Sequence, residues 1–331
     1  MNRINILVTG GAGYIGSKIA HDLIKRKFNV IVIDNLETGY KFLVPKKAKF
    51  INANILNYKK IEGIFKRYKI DSVIHLAASL SVEESQKKPL KYYLNNVIGL
   101  DNILKLVTEY KVKSFILSST CAIFGNSKSG AVHENSIQLP ESNYGKTKLM
   151  SETLLQNYAK KFKFQYAILR YFNVVGADTL LKTGPVKSQT LFKILAKNIV
   201  NNNYLVKIYG KDYSTKDGTC IRDFIDVNDL SDLHFEALKK IKNSRKSIIL
   251  NCGYGQPKTV LEIVNAFGKI ANKKLKINFL KRRSGDIEKI YCDNRKLIKT
   301  LKNWKNKFKL HDSIKNQLQW EQKLQKKNVI S

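Results

Sequence analysis

Apolar and polar positions along this chain follow two alternating rhythms. Short, nearly continuous apolar runs recur at 3–9, 29–33, 72–77, 114–119 and 165–170, with a weaker one at 49–52. Between them lie longer stretches with apolar residues every three or four positions, at 15–27, 61–68, 89–110 and 144–162. The short runs are apolar on both faces and read as strands inside a sheet; the longer ones read as amphipathic helices. Strand and helix in strict alternation predict an α/β fold with a doubly wound parallel sheet covered on both faces. Past about position 172 the regularity fades. Gly-Pro at 184–185 and the loop at 211–218 interrupt shorter elements. Residues 248–252 read as one more core strand that returns to the first sheet, and 257–271 as a helix. The lysine-rich tail from 297 has Trp304 and Trp320 as its anchors. The organisation expected is a larger domain over 1–175 and a smaller α/β domain over 176–331, the second packed at the carboxyl ends of the strands, where doubly wound sheets bind ligands.

The first strand runs into a glycine-rich turn, TGGAGYIG over 9–16, which satisfies both Gly11-x-Gly13-x-x-Gly16 and Gly10-x-x-Gly13-x-x-Gly16. Glycine permits the tight turn and lets backbone amides approach a pyrophosphate at a helix N-terminus. Such a pattern alone is weak, but here it follows a strand and opens a helix. The second strand ends at Asp34. A carboxylate there accepts from ribose hydroxyls and repels a 2′-phosphate, which favours NAD over NADP. Tyr144 and Lys148 stand four residues apart, hence on one helix face. A phenol titrates near ~10 in water, and a neighbouring cation favours its phenolate. Such a pair can take a proton from a sugar hydroxyl beside an oxidising cofactor. Ser118, Ser119 and Thr120 close a strand, and the Thr120 hydroxyl can bridge a substrate hydroxyl and the phenol.

Composition is that of a globular protein, with 43% apolar and 26% charged residues. The first apolar run starts at once, so no signal peptide is expected, and no run reaches the ~18 residues of a membrane span. Cys121, Cys220, Cys252 and Cys292 lack paired spacing and read as reduced thiols in a cytoplasmic protein. The five histidines show no metal spacing; His75, inside an apolar strand, reads as a satisfied core residue. The net charge of +34 is spread from Lys25 to Lys327, without a basic arm or interleaved aromatics, so no nucleic acid is expected as a partner. The field would instead attract a small anionic substrate.

With these features in place, the chain resembles the extended short-chain dehydrogenase/reductase family, which has the Rossmann fold, and within it the UDP-sugar 4-epimerases. The likeness runs nearly end to end: VTGGAGYIGS at 8–17, IDNL at 33–36, VIHLAA at 73–78, PLKYYLNNV at 89–97, SST at 118–120, YGKTKLM at 144–150, LRYFN at 169–173, DGTCIRD at 217–223 and RRSGD at 282–286. The resemblance implies that Gly10, Gly13, Tyr14, Ile15, Asp34, Asn35, Asn54, Ile55, Leu76, Ala77, Ala78, Asn95, Tyr144, Lys148 and Phe172 hold NAD. It implies Thr120, Asn173, Tyr209, Arg222, Arg283 and Asp286 for the UDP-sugar, and Tyr144, Lys148 and Thr120 for catalysis, with no metal. Arginines suit a diphosphate and an aspartate suits ribose hydroxyls.

The activity implied is interconversion of UDP-galactose and UDP-glucose through transient oxidation at C4, with a homodimer expected. Asn54 replaces an aspartate of the pattern, which predicts weaker adenine recognition. Ile290 falls where relatives limit sugar size, and the loop at 177–189 is short. Among rivals, a 4,6-dehydratase places Asp-Glu after the threonine, where this chain has Cys121 and Ala122; a decarboxylase carries a nearby glutamate that is also missing. Epimerisation of N-acetylated or uronic UDP-sugars is the alternative. A non-catalytic NAD- or RNA-binding protein ranks lower, having no use for the Tyr144/Lys148 pair.

Overall fold

The computed structural model describes residues 4–127, 130–283 and 286–327. Arg3 of the first expected strand and Ser284 and Gly285 of the 282–286 motif lie outside the described residues. Seven strands form one sheet in the order Ile248–Cys252, Gln165–Tyr171, Ser114–Thr120, Ser72–His75, Asn5–Thr9, Asn29–Asp34, Lys49–Asn52. Every neighbouring pair is parallel. From Asn5–Thr9 the chain winds outward to Lys49–Asn52, then crosses back to Ser72–His75 on the other side. Winding reverses between Asn5–Thr9 and Ser72–His75, which opens a crevice beyond their carboxyl ends.

Successive strand residues serve opposite cores, which is why the runs are apolar throughout. Ile6, Val8, Val30 and Val32 face a layer with Ile19, Ala20 and Leu23 of the Tyr14–Lys25 helix and Leu230, Leu233 and Ile241 of the Val227–Ser244 helix. Leu7, Ile31 and Ile33 face Ile61, Ile64, Leu100, Ile103, Leu104 and Leu155 on the other side. The elements after 172 gather a third core around Phe192, Ile208, Phe224, Val264, Phe267 and Ile314.

The tail is anchored as its tryptophans suggest. Trp304 Nε1 donates to the Asp229 carbonyl at 2.9 Å and Trp320 Nε1 to the Pro185 carbonyl at 2.9 Å, both rings buried.

Three expectations need correction. The strand from 72 stops at His75, because residues 76–78 leave the ladder at the crevice. The helix expected over 89–110 is interrupted: Pro89–Tyr93 leads into a π-turn at Leu94–Ile98 before Gly99–Glu109 resumes. The extra residue of the π-turn accompanies inward placement of Asn96, which bonds Ser79 and Thr147. The region after 172 is also more regular than its pattern suggests. It contains the 18-residue helix Val227–Ser244 and the helix Leu191–Val200. Val227–Ser244 carries buried Asn228, Asp229, Ser231 and His234 on its inner face, and these polar positions hide its apolar period. Among the described residues, no helix is long and apolar enough to cross a membrane.

Candidate active site

The crevice starts at the glycine turn. Gly10 has φ +70°, and a Cβ there would lie 2.7 Å from the Ala77 nitrogen. A Cβ on Gly16 would lie 2.2 Å from the Gly10 carbonyl oxygen, so the turn packs against its own helix only as glycine. Gly13 caps the Tyr14–Lys25 helix without a side-chain hydrogen bond and with no acidic residue in the first turn, which leaves the helix N-terminus suited to an anion. At the end of the neighbouring strand, Asp34 Oδ2 accepts from the Ala12 N–H (3.0 Å) and Oδ1 from the Leu36 N–H (2.8 Å). Burial raises its pKa, and those two N–H groups act against the rise. Its carboxylate is thus aimed before any ligand binds. A cradle that a Cβ would fill, an open helix N-terminus and an oriented carboxylate fit the pyrophosphate and ribose of a dinucleotide.

The other expected cofactor residues line the same carboxyl ends. Leu76, Ala77 and Ala78 follow the Ser72–His75 strand half-buried, and Leu76 N–H donates to the Thr9 carbonyl at 3.1 Å. Asn95 Nδ2 donates to Ser79 Oγ at 3.2 Å. Asn35 is exposed, and Ile15 is half-buried in the first helical turn. Tyr14 is committed elsewhere: its hydroxyl donates to the Gly176 carbonyl at 2.6 Å. Asn54 is exposed and its Oδ1 accepts from Leu56 N–H at 2.9 Å, while Ile55 is buried against Gly99. His75 is the satisfied core residue expected: Nδ1 pairs with Thr9 Oγ1 at 2.9 Å, and burial, then the charge of Lys148, pulls its pKa down to about 3.

Thr120 ends the Ser114–Thr120 strand, next to the first turn of the Asn143–Phe162 helix. Ser142 caps that helix by accepting from the Gly145 N–H at 3.1 Å. Tyr144 and Lys148 therefore share its inward face, and the Thr120 side chain lies near enough to the Tyr144 phenol to lower its pKa. Burial pushes the phenol up to about 12, against Thr120, which lowers it. Lys148 is itself buried, and burial lowers its pKa to about 8, with Glu152 opposing. The chain alone does not supply enough positive charge to make the phenol a base at neutral pH. A cationic ring in the crevice would supply the remainder.

The expected UDP residues fall in two adjoining groups. The Arg283 guanidinium pairs with Asp286 (2.9 Å) and lies over the Tyr209 ring, 4.8 Å from its centroid. Arg222 Nη1 donates to the Ile221 carbonyl at 2.9 Å, and its charge reaches Cys121 beside Thr120. Asn173 N–H donates to the Asp223 carbonyl (3.1 Å), exposed and next to buried Phe172. Arg222 is paired across the ladder with Ile290, which is buried with Phe124, Phe172 and Cys292 in a small apolar cluster.

Sequence reasoning missed the polar scaffold beneath these groups. Glu152, one turn beyond Lys148, binds Arg170 and Ser119, all buried. Asn96 ties the 77–81 loop to the Asn143–Phe162 helix through Ser79 and Thr147. The eight-residue interval from Tyr144 to Glu152 was a usable signal, since it continues the same helix face.

Residues 6–253 match the family model described as NAD dependent epimerase/dehydratase family. The chain is 33% identical to a UDP-glucose 4-epimerase of Azospirillum brasilense over 97% of this chain and 92% of that protein. It is 37% identical to UDP-arabinose 4-epimerase 1 of Arabidopsis thaliana over 96% of this chain and 79% of that one. Among solved structures, it superposes on a UDP-glucose-4-epimerase from Stenotrophomonas maltophila, bound to NAD and formylated UDP-arabinopyranose, with TM-score 0.94. That match has 32% identity and covers 98% of this chain and 100% of the other.

Proposed function

Since the chain belongs to the NAD dependent epimerase/dehydratase family, within the extended short-chain dehydrogenases/reductases, we propose that it is an NAD-dependent UDP-sugar 4-epimerase that interconverts UDP-galactose and UDP-glucose. The observation that carries this reading is the helix face shared by Tyr144 and Lys148, with the Thr120 side chain beside the phenol, in a chain whose first strand ends in the glycine cradle. When bound, NAD supplies reversible oxidation at the sugar C4.

The chain's residues do the rest. Gly10, Gly13 and the amides of the helix N-terminus hold the pyrophosphate, and Asp34 accepts from the adenosine ribose. The Tyr144 oxygen takes the proton of the sugar 4-hydroxyl and later returns it, with Thr120 bridging the two oxygens. The Lys148 ammonium favours the phenolate. Arg222 and Arg283 engage the diphosphate, Asp286 the uridine ribose, and Asn173 and Tyr209 complete that anchor. It keeps hold of the nucleotide while the oxidised sugar presents its opposite face. In this reading residues 1–175 carry NAD and 176–331 mainly the UDP-sugar.

The test is to incubate purified protein with UDP-galactose and separate the products. Tyr144→Phe should abolish UDP-glucose formation while NAD stays bound; undiminished turnover in that variant would defeat the assignment. The likeness to UDP-arabinose 4-epimerases favours a second reading, a UDP-pentose substrate at the same site. A panel of UDP-hexose, UDP-pentose, N-acetylated and uronic substrates ranks them by kcat/KM.

We also propose a cytoplasmic homodimer. Free thiols at all four cysteines suit a reducing compartment. Exposed Leu90, Leu94, Ile98, Met150 and Phe162 on the two helical segments flanking the site offer an apolar contact face.

A further inference from the structure

Beneath the reacting groups lies a buried polar cluster. Glu152 follows Lys148 by four residues and Tyr144 by eight, so phenol, amine and carboxylate form one line along the Asn143–Phe162 helix. The carboxylate is held from two directions. Ser119 Oγ donates to Oε1 at 2.5 Å, and Arg170 donates from Nη2 to Oε2 at 2.7 Å and from Nε to Oε1 at 3.0 Å. Arg170 also donates from Nη1 to the Glu134 carbonyl at 2.9 Å, and Glu134 Oε1 accepts from Asn251 N–H at 2.8 Å. Ser119 and Arg170 are ladder partners on adjacent strands. The cluster therefore fastens three elements together immediately behind Thr120.

A buried ion pair of this kind adds little net stability over apolar packing of the same shape, because both ions are desolvated. Its location suggests a purpose in the field it makes. Lys148 is 3% exposed, and no carboxylate among the described residues forms an ion pair with it. The charged or titratable groups that interact with it are Glu152 on its own helix and His75 on the neighbouring strand; Cys121, Tyr92 and Tyr171 interact with Tyr144, and Arg170 holds Glu152. His75 is neutral, and burial holds the Cys121 thiol, Tyr92 and Tyr171 in their protonated forms. Glu152 is thus the anionic group left to favour a charged amine.

Resting on the epimerase reading, we propose that Glu152 is a positioning residue for the reaction: held by Arg170 and Ser119, it keeps the Lys148 amine charged and fixes Thr120 against the phenol. Burial depresses the amine to about 8, and Glu152 is the opposing influence. Its removal leaves burial unopposed, with the Arg170 charge uncompensated nearby.

The experiment is the pH profile of kcat for the NAD-loaded wild type and Glu152→Gln. Activity that needs a charged Lys148 is lost as pH rises through the amine's pKa. The alkaline limb of Glu152→Gln should therefore move about one unit toward acid, with kcat above neutrality down about tenfold. Glu152→Asp, which keeps the charge one methylene further back, should show a smaller displacement in the same direction. It serves as the comparison if the glutamine variant does not fold. A readout free of turnover is the near-ultraviolet phenolate absorbance of the NAD-loaded protein, taken as the difference from Tyr144→Phe. In Glu152→Gln the Tyr144 phenolate should form at higher pH. An alkaline limb and a phenolate titration that stay in place, with only thermal stability reduced, would overturn the positioning role. An inactive wild type would instead remove the epimerase reading, while the phenolate titration would still decide the role of Glu152.

Discussion

At the residue scale, the site works by fixing groups before they are used. Asp34 has both oxygens on backbone N–H donors, so its orientation costs nothing further when a ribose arrives. Asp34→Ala should weaken NAD binding by about tenfold or more, corresponding to one or two charge-assisted hydrogen bonds, and should narrow the gap between NAD and NADP. Calorimetric titration of both dinucleotides checks this; an unaltered ratio would separate Asp34 from the ribose. Gly16→Ala places a methyl 2.2 Å from the Gly10 carbonyl oxygen, so the cradle must shift. Loss of about 1–3 kcal/mol in unfolding free energy should accompany loss of NAD. These residues were legible in the sequence because each needs a distinct chemistry at a fixed spacing from a strand end. The pairing of Glu152 with Arg170 was not, because it couples residues 18 apart that no local pattern joins, even though the spacing of Glu152 from Tyr144 marks its helix face. The protonation of Tyr144 in the chain alone was not legible for a related reason. Spacing shows that an amine is near, but only burial shows that desolvation outweighs it.

At the element scale, strands with two buried faces and helices with one were readable directly. The sheet's seven strands fall where short apolar runs occur, and 49–52 and 248–252 match the observed bounds. Elements that carry buried polar residues were harder. Val227–Ser244 begins at Asp226, which caps it through the Asn228 N–H at 2.8 Å. The same carboxylate accepts from Ser313 Oγ at 2.6 Å and so clasps the Leu310–Lys326 helix. Burial raises Asp226 from 3.8 to about 6, against hydrogen bonds from Ser313 and Asn228. A carboxylate whose folded value exceeds its unfolded one favours folding when protonated. That contribution is complete below the unfolded value and is lost as pH rises through about 6. Relative to Asp226→Asn, the wild type should therefore lose up to ~3 kcal/mol of stability between pH 4 and 7. Denaturant melts of both proteins across that range measure the difference; parallel curves would show that the clasp does not titrate.

At the scale of the whole molecule, charge and assembly pull against each other. Each chain carries a formal +34, a field that would draw in an anionic nucleotide sugar and repel a second copy of itself. The face on which two copies would meet has apolar residues at 90, 94 and 98 on the interrupted helix and at 150 and 162 on the helix behind Tyr144. Nothing in the strand–helix pattern distinguishes these positions from a core-facing stripe, so the sequence shows an amphipathic helix without showing what covers it. Apolar contact and like-charge repulsion respond differently to salt. Repulsion is screened over a Debye length of about 8 Å at physiological ionic strength, whereas apolar burial is little affected by moderate salt. Dimer affinity should therefore rise with sodium chloride, the reverse of an assembly held by ion pairs. Leu94→Glu combined with Ile98→Glu should give monomers at every salt concentration, since it removes the apolar area and adds buried charge. Sedimentation velocity across a salt series reads both effects. A wild-type dimer that weakens as salt increases would place the contact on a charged surface, away from these helices.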